Sequence, residues 1–248
     1  MKNFNTKTAF ALIVAAGAID DYEAHRAILA EAPAAPRMIY CADGGLRHMK
    51  PLGLEPDVIL GDFDSAAAPL LEEYRLSGAA SERYPAEKDY TDTELAVNRV
   101  AADGYSAALI LGALGGRIDH TFTNIQLIYK YAVRGFRVAL ADSFGIAAVL
   151  MPGRAMTIDK LKPLTSLLGL QDNMPIADFA GAYAQTPKLS LLPIGGATRG
   201  VTTTGLKYPL QGADLEPFYT SGVSNEFIEC TATVEIREGA LLVMICAD

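Results

Sequence analysis

The feature that most restricts the fold is a regular alternation, through the first 145 or so residues, of short apolar runs with helix-periodic stretches. Strands are expected at Phe10–Ala15, Met38–Ala42, Val58–Leu60, Ala108–Leu111 and Arg137–Ala141. Helices are expected near Tyr22–Ala32, Ala68–Ser77, Thr93–Ala102 and Thr121–Val133. This β-α-β-α order predicts a mostly parallel, Rossmann-like sheet covered on both faces. Sheets of that kind bind ligands beyond the carboxyl ends of their strands.

From about Gly145 helical periodicity fades. Short β-prone runs take over at Ala147–Leu150, Leu164–Leu168, Leu189–Leu192, Val201–Thr204, Phe227–Ile236 and Leu241–Ile245, punctuated by Pro and Gly. That texture predicts an antiparallel, all-β sandwich or barrel. The expected organisation is therefore an α/β domain over 1–145 followed by an all-β domain, sandwich or barrel, over 146–248. A chain of 248 residues is long enough for both.

Half the residues are apolar and 20% are charged, which excludes a disordered or fibrous chain. The net charge of −8 makes the chain a poor general binder of nucleic acid or anionic lipid. If it handles a polyanion, a divalent cation should screen the repulsion. The longest uncharged apolar run, Ala9 to Ile19, is 11 residues, far short of a membrane span. Cys41, Cys230 and Cys246 are widely spaced and form no Cys-x-x-Cys pair, which points to a reducing, cytoplasmic compartment. Lys2 and Lys7 ahead of Ala9–Ile19 imitate a signal peptide, but a buried first strand ending near Gly17 is the reading preferred here.

The chemistry is expected where acids follow strands. Met38–Ala42 runs into Asp43-Gly44-Gly45, and Val58–Leu60 runs into Gly61-Asp62-Phe63-Asp64-Ser65. In an extended stretch Asp62 and Asp64 share one side while Phe63 faces the other. Carboxylates so placed repel one another unless a cation lies between them, and hard oxygen donors suit Mg²⁺. Solvated turn acids are the plainer alternative for an isolated Asp-x-Asp. Asp43, from a second strand end, shifts the balance towards a metal.

Two further clusters open helices. In Lys88-Asp89-Tyr90-Thr91-Asp92-Thr93-Glu94, Thr91 and Glu94 have the spacing of a capping box, and Lys88 can meet a phosphate as a point charge. In Gly112-Ala113-Leu114-Gly115-Gly116-Arg117-Ile118-Asp119-His120, a glycine-rich turn leads into a helix whose free N–H groups favour anions. Arg117 can grip a phosphate with two parallel hydrogen bonds. Asp119 is either a ligand or a simple N-cap. His120 and Asn124, four apart, share a helix face. His25 and His48 have no comparable setting and are expected on the surface. P-loop, dinucleotide, zincin and nucleophile-elbow motifs are all absent, which leaves metal-assisted phosphate chemistry as the best-supported class.

These residues, in order and spacing, resemble the thiamine pyrophosphokinase family. The resemblance rests on Asp43-Gly44-Gly45, Gly61-Asp62-Phe63-Asp64-Ser65, Asp89-Tyr90-Thr91-Asp92 and Gly115-Gly116-Arg117-Ile118-Asp119-His120 with Asn124. Thr202–Leu210 and Ser224-Asn225-Glu226-Phe227 extend it into the second half. It implies transfer of pyrophosphate from ATP to the thiamine hydroxyl, giving thiamine diphosphate and AMP. It further implies a homodimer whose sites are shared between one subunit's sandwich and the other's catalytic domain. By motif, Asp43, Asp62, Asp64, Asp92 and Asp119 would surround Mg²⁺ and the triphosphate. Gly44, Gly45, Lys88, Asp89, Arg117, His120 and Asn124 would hold the nucleotide, and Thr204, Tyr208, Ser224 and Asn225 would face thiamine. Some members carry tryptophan where this chain has Tyr208. The competing readings are an Asp-x-Asp phosphohydrolase, disfavoured by Gly61 and Ala66 within its motif, and a non-catalytic thiamine or nucleotide sensor.

Overall fold

Strand β1 (Ala11–Val14) is four apolar residues buried on both faces, and it is an interior strand of the large sheet. The computed structural model describes residues 10–30, 32, 35–63, 68–169 and 187–246. Alternate residues of β1 enter two cores. Leu12 and Val14 pack on one side of the sheet, Ala11 and Ile13 on the other. A strand with no solvent face needs an unbroken apolar run, which is what made it readable.

The first half follows the expected alternation: α1 (Tyr22–Ala30), β2 (Ile39–Ala42), α2 (Leu46–Leu52), β3 (Val58–Gly61), α3 (Ala68–Leu76), β4 (Ala80–Arg83), α4 (Asp92–Ala102), β5 (Ala107–Leu111), α5 (Ile118–Val133) and β6 (Arg137–Asp142). Two of these elements lie outside the sequence expectation. Helix α2 carries Pro51 in its last turn and stops at Gly53, which is left-handed at φ 70°. Strand β4 is polar and mostly exposed, as suits the sheet edge it occupies.

The second half runs β7 (Gly145–Leu150), β8 (Met156–Asp159), α6 (Pro163–Leu168), β9 (Lys188–Pro193), β10 (Thr198–Thr204), β11 (Ala213–Leu215), β12 (Asn225–Glu226), β13 (Thr231–Glu235) and β14 (Leu241–Cys246). Leu164–Leu168, expected as a strand, is helical. Pro163 occupies the first turn, and Gly169 ends the helix at φ 59°. A short apolar run has no period of its own to separate helix from strand, and here Pro and Gly decide it. The run expected over Phe227–Ile236 is also divided. Phe227 makes an isolated bridge to Leu206, and the strand proper begins at Thr231.

Ten strands form one sheet in the order β12-β9-β14-β7-β6-β5-β1-β2-β3-β4, and the other four form a second sheet, β11-β10-β13-β8. The block from β6 to β4 is parallel. Beyond β6 the pairing turns antiparallel, starting with the tight β6–β7 hairpin. The second sheet packs over this antiparallel wing, with Ile158, Val201, Ala232 and Val234 in one core with Leu189, Leu241 and Val243. The architecture is a mostly parallel α/β sheet joined to an antiparallel, sandwich-like C-terminal part, and the large sheet runs continuously through both.

Candidate active site

The parallel block reverses its direction of travel at β1. The chain leaves β1 towards β2, β3 and β4, then returns to place β5 and β6 on the opposite side. The loops after β1 and β5 therefore part, opening a crevice at the strands' carboxyl ends. A cavity of about 360 Å³ lies there, lined by Ala15–Ala18, Arg47, Thr93, Gly112, Ala113, Gly115–Arg117, His120 and Asn124.

Two loops frame it at close quarters. Gly17 N–H donates to the Gly112 carbonyl at 2.7 Å, and Ala15 N–H donates to Leu111 at 2.9 Å. A side chain on Gly17 would collide with the Gly112 oxygen, and Gly112 itself is left-handed at φ 65°. Only glycine lets these backbones approach so closely. Asn124 is buried and donates from Nδ2 to the Ala113 carbonyl at 2.7 Å, fixing the β5–α5 loop from below. Together with His120 it brings the expected helix face into the cavity wall.

Arg117 stands at the N-cap of α5 with no side-chain cap, which leaves the N–H groups of Ile118 and Asp119 in the first turn available to an anion. It is exposed and grips Asp119 through two nitrogens, at 2.6 and 3.1 Å. That hydrogen bond holds the Asp119 carboxyl below the usual range, helped by the N–H of His120 at 2.9 Å. Asp119 is therefore not the N-cap. It sits in the first turn and pairs with the arginine beside it.

The acids at the ends of β2 and β3 adjoin. Asp43 is buried in a single 3-10 turn, Asp43–Gly45. Ala42 pairs with Leu60, so Asp43 lies against Gly61, where an added Cβ would come within 2.5 Å of the Asp43 Cβ. Gly44 and Gly45 face Ala16 and the Val14 carbonyl with equally little room, so their role in the structure is close packing on β1. Asp62 follows directly, and its carbonyl accepts from Arg83 Nε at 3.1 Å. Phe63 is left-handed at φ 56° and packs on the core. The extended geometry assumed for Asp62-Phe63-Asp64 is thus interrupted at Phe63, and Asp64 lies outside the described residues. Strain of this sort in a residue other than glycine concentrates at functional sites.

Lys88 and Asp92 form an ion pair at 2.7 Å, and Asp89 is exposed. Thr91 caps α4 by accepting from the Glu94 N–H at 3.2 Å. The second half of the expected capping box is not made, because the Glu94 carboxylate turns to Lys130 on α5. Among the described residues no three His, Cys, Asp or Glu side chains converge closely enough to cage a metal.

In the second half, the two stretches singled out in the sequence meet. Asn225 accepts from the Tyr208 N–H at 3.1 Å and donates to the Tyr208 carbonyl at 2.7 Å. The Tyr208 ring is 62% exposed, with Lys207 Nζ 5.5 Å from its centroid. Ser224 is left-handed at φ 60°, with its N–H on Ser190 Oγ. Thr204 is exposed at the end of β10, one residue before the turn that leads to Tyr208.

Sequence reasoning missed the β1–α1 loop and Arg47. The available signal was the run of small residues Ala15-Ala16-Gly17-Ala18 directly after a buried strand. Arg47 donates to the carbonyls of Ala16 and Gly17. His25 and His48, expected on the surface, are both buried. Tyr22 Oη donates to His48 Nδ1 at 2.9 Å, and His48 Nε2 donates to the Gly17 carbonyl at 2.8 Å. Burial holds the His48 pKa below its ordinary value; the Gly17 contact opposes this, and Arg47 and His25 add to it.

The fold and this cavity define an α/β protein with a ligand-sized crevice at the switch point of its sheet, joined to an antiparallel second part. Two family models match it: "Thiamin pyrophosphokinase, catalytic domain" over residues 31–140, and "Thiamin pyrophosphokinase, vitamin B1 binding domain" over 181–241. The thiamine pyrophosphokinase of Bacillus subtilis (strain 168) is 28% identical over 206 residues, covering 83% of this chain and 86% of that protein. Thiamine pyrophosphokinase 2 of Arabidopsis thaliana is 27% identical over 216 residues, 79% and 73% of the two chains. The crystal structure of the B. subtilis protein superposes with a TM-score of 0.74 at 25% identity, covering 97% of this chain and 99% of that one. The Candida albicans thiamin pyrophosphokinase shares the fold at a TM-score of 0.68 and 19% identity, over 98% and 90% of the chains. The chain belongs to the thiamine pyrophosphokinase family.

Proposed function

We propose that the chain transfers a pyrophosphoryl group from ATP to the hydroxyl of thiamine, releasing AMP and thiamine diphosphate. The observation that carries this reading is the cavity at the β1/β5 switch point, walled by the α5 N-terminus, Arg117, His120 and Arg47, with Asp43 and Asp62 following the next two strands of the same sheet, β2 and β3. The thiamine hydroxyl oxygen forms a bond to the middle phosphorus while the bond from that phosphorus to the AMP oxygen breaks. The hydroxyl proton passes to a nearby carboxylate, to His120 or to water.

Arg117, Lys88 and the free N–H groups of α5 would hold the phosphates and draw off their charge. Gly44, Gly45 and Asn124 would keep the surrounding loops in place, with Asp89 alongside. Thr204, Tyr208, Ser224 and Asn225 would position thiamine, the exposed Tyr208 ring offering a face to the cationic thiazolium. Hard carboxylate oxygens on adjoining strand ends suit Mg²⁺, which needs only one or two protein carboxylates besides phosphate and water. Asp43 and Asp62, with Asp64 and Asp92, are the proposed ligands, and Asp119 joins them around the phosphates. Bound there, Mg²⁺ would neutralise charge on the triphosphate.

We take 1–145 as the catalytic unit and 146–248 as the thiamine-binding and dimerising unit of a cytoplasmic homodimer. Exposed apolar side chains on both units, Ile118 and Phe122 on one and Phe218, Tyr219 and Ile228 on the other, support a site shared between subunits.

Incubation with ATP, Mg²⁺ and thiamine tests the reaction. AMP and thiamine diphosphate in equal amounts are expected, and Asp62→Asn should abolish them without lowering the melting temperature. ADP formation, or inorganic phosphate without a thiamine product, would overturn the assignment.

A further inference from the structure

A second cavity, of about 1010 Å³, lies at the other end of α5. It is bounded by Ala132 and Gly135 at the helix's C-terminal end, the start of β6, the β7–β8 turn and α6. The 16 residues of α5 place it about 24 Å from the cavity at the helix's first turns. Its size is that of a small-molecule site.

Much of the wall is apolar, with Phe136, Met151, Met156 and Leu167 contributing. Set into it are Arg137 from β6 and Arg154 from the β7–β8 turn, together with Lys162. Asp159 is the one carboxylate among the described lining residues. Asp159 accepts the Leu161 N–H at 2.8 Å. Neither the Arg137 nor the Arg154 side chain has an ion-pair or hydrogen-bond partner among the described residues. Arg137 is half-buried and lies against Gly169, where any side chain would run into its guanidinium. Burial lowers the Arg137 pKa, and the neighbouring Arg154 charge lowers it further. In a chain of net charge −8, a half-buried guanidinium with a second, exposed one beside it at the cavity's rim, and no carboxylate partner among the described residues, is an unusual arrangement. Such a pair costs free energy unless an anion joins it.

We propose that this cavity binds an organic phosphate, with an apolar body against the Phe136 and methionine wall and a dianionic head between Arg137 and Arg154. Each guanidinium can give a phosphate two parallel hydrogen bonds, and a dianion neutralises both charges where a carboxylate neutralises one.

Calorimetric titration of the intact protein with phenyl phosphate tests it. Saturable binding is expected, weakened at least tenfold by Arg137→Gln and by Arg154→Gln, and unchanged by Arg117→Gln, which removes a cation from the other cavity. Benzoate, with the same ring and a single charge, should bind more weakly. Arg154 is exposed on a turn, so its variant keeps the fold, with wild-type turnover as the control. No binding, binding that both cavity variants leave intact, or binding lost in Arg117→Gln would overturn the proposal.

Discussion

Gly17→Ala is the sharpest probe of how the active-site loops are held. The added Cβ would sit well inside 3.0 Å of the Gly112 oxygen, 3.0 Å from the Gly112 carbonyl carbon and 3.1 Å from the Leu114 oxygen, all of them backbone atoms. No side chain can swing aside, so the β1–α1 and β5–α5 loops must part by well over half an ångström. Overpacking of this kind costs about 1–3 kcal/mol. The Gly17–Gly112 hydrogen bond, 2.7 Å in the wild type, is stretched or lost for about 1 kcal/mol more. A domain stable by roughly 5–15 kcal/mol survives that loss. Catalysis is the more sensitive readout, because a displacement near 1 Å in a positioning loop costs on the order of a hundredfold. Urea melts and steady-state AMP release should show a folded protein, less stable by about 2–4 kcal/mol, with turnover down about ten- to a hundredfold. Gly53→Ala is the control. Its left-handed φ of 70° makes alanine unfavourable by about 1 kcal/mol, but it meets no atom within 4 Å and lies away from the cavity. A Gly17→Ala protein with wild-type turnover, or a Gly53→Ala protein with the same kinetic defect, would refute the reasoning.

Two other outcomes follow from the geometry. Asn225 brackets the Tyr208 backbone with two hydrogen bonds that do not involve the ring. Tyr208→Ala should therefore keep the local frame while raising the KM for thiamine about two- to thirtyfold, the span of a cation–π contact. Equal effects on the KM for thiamine and for ATP would remove the ring from that role. For His48, the folded-state pKa lies below the ordinary value of 6.5. The unfolded chain then binds the extra proton first, so this contribution is complete above pH 6.5 and is lost as pH falls through the folded-state value. Urea melts at pH 7.5 and 5.5 should show a larger loss in the wild type than in His48→Gln, and equal losses would contradict it.

What could be read from sequence depended on whether an element's pattern carried its own period. The buried parallel strands declared themselves as apolar runs, and α4 and α5 as long periodic stretches with recognisable starts. Strand β4, Ala-Ser-Glu-Arg, is a strand because Val58–Gly61 pairs with it, and nothing in its polar residues announces that. Helix α6, Pro-Leu-Thr-Ser-Leu-Leu, is too short for its leucines to show a period. The histidines failed through missing context. His48 is buried because Tyr22 and Gly17, 26 and 31 residues away, offer partners to both ring nitrogens.

The site followed the same rule with one refinement. Residue types at strand ends were legible, because an acid directly after an apolar run breaks its pattern, although the glycines beside them serve close packing. The partner each one takes was not. Lys88 pairs with Asp92, and Arg117 with Asp119, so cations and acids both expected around a triphosphate meet one another in the folded chain. Such exchangeable pairing is what a phosphate site at a protein surface requires. The Arg117–Asp119 pair, with side chains 73% and 60% exposed, is screened by water and held weakly. Under the proposed mechanism, an incoming phosphate that took Arg117 would give up little in breaking it, and the carboxylate released would be open to a cation arriving with the nucleotide. Sequence identifies the members of such an exchange, whereas the fold sets which of them touch before it begins.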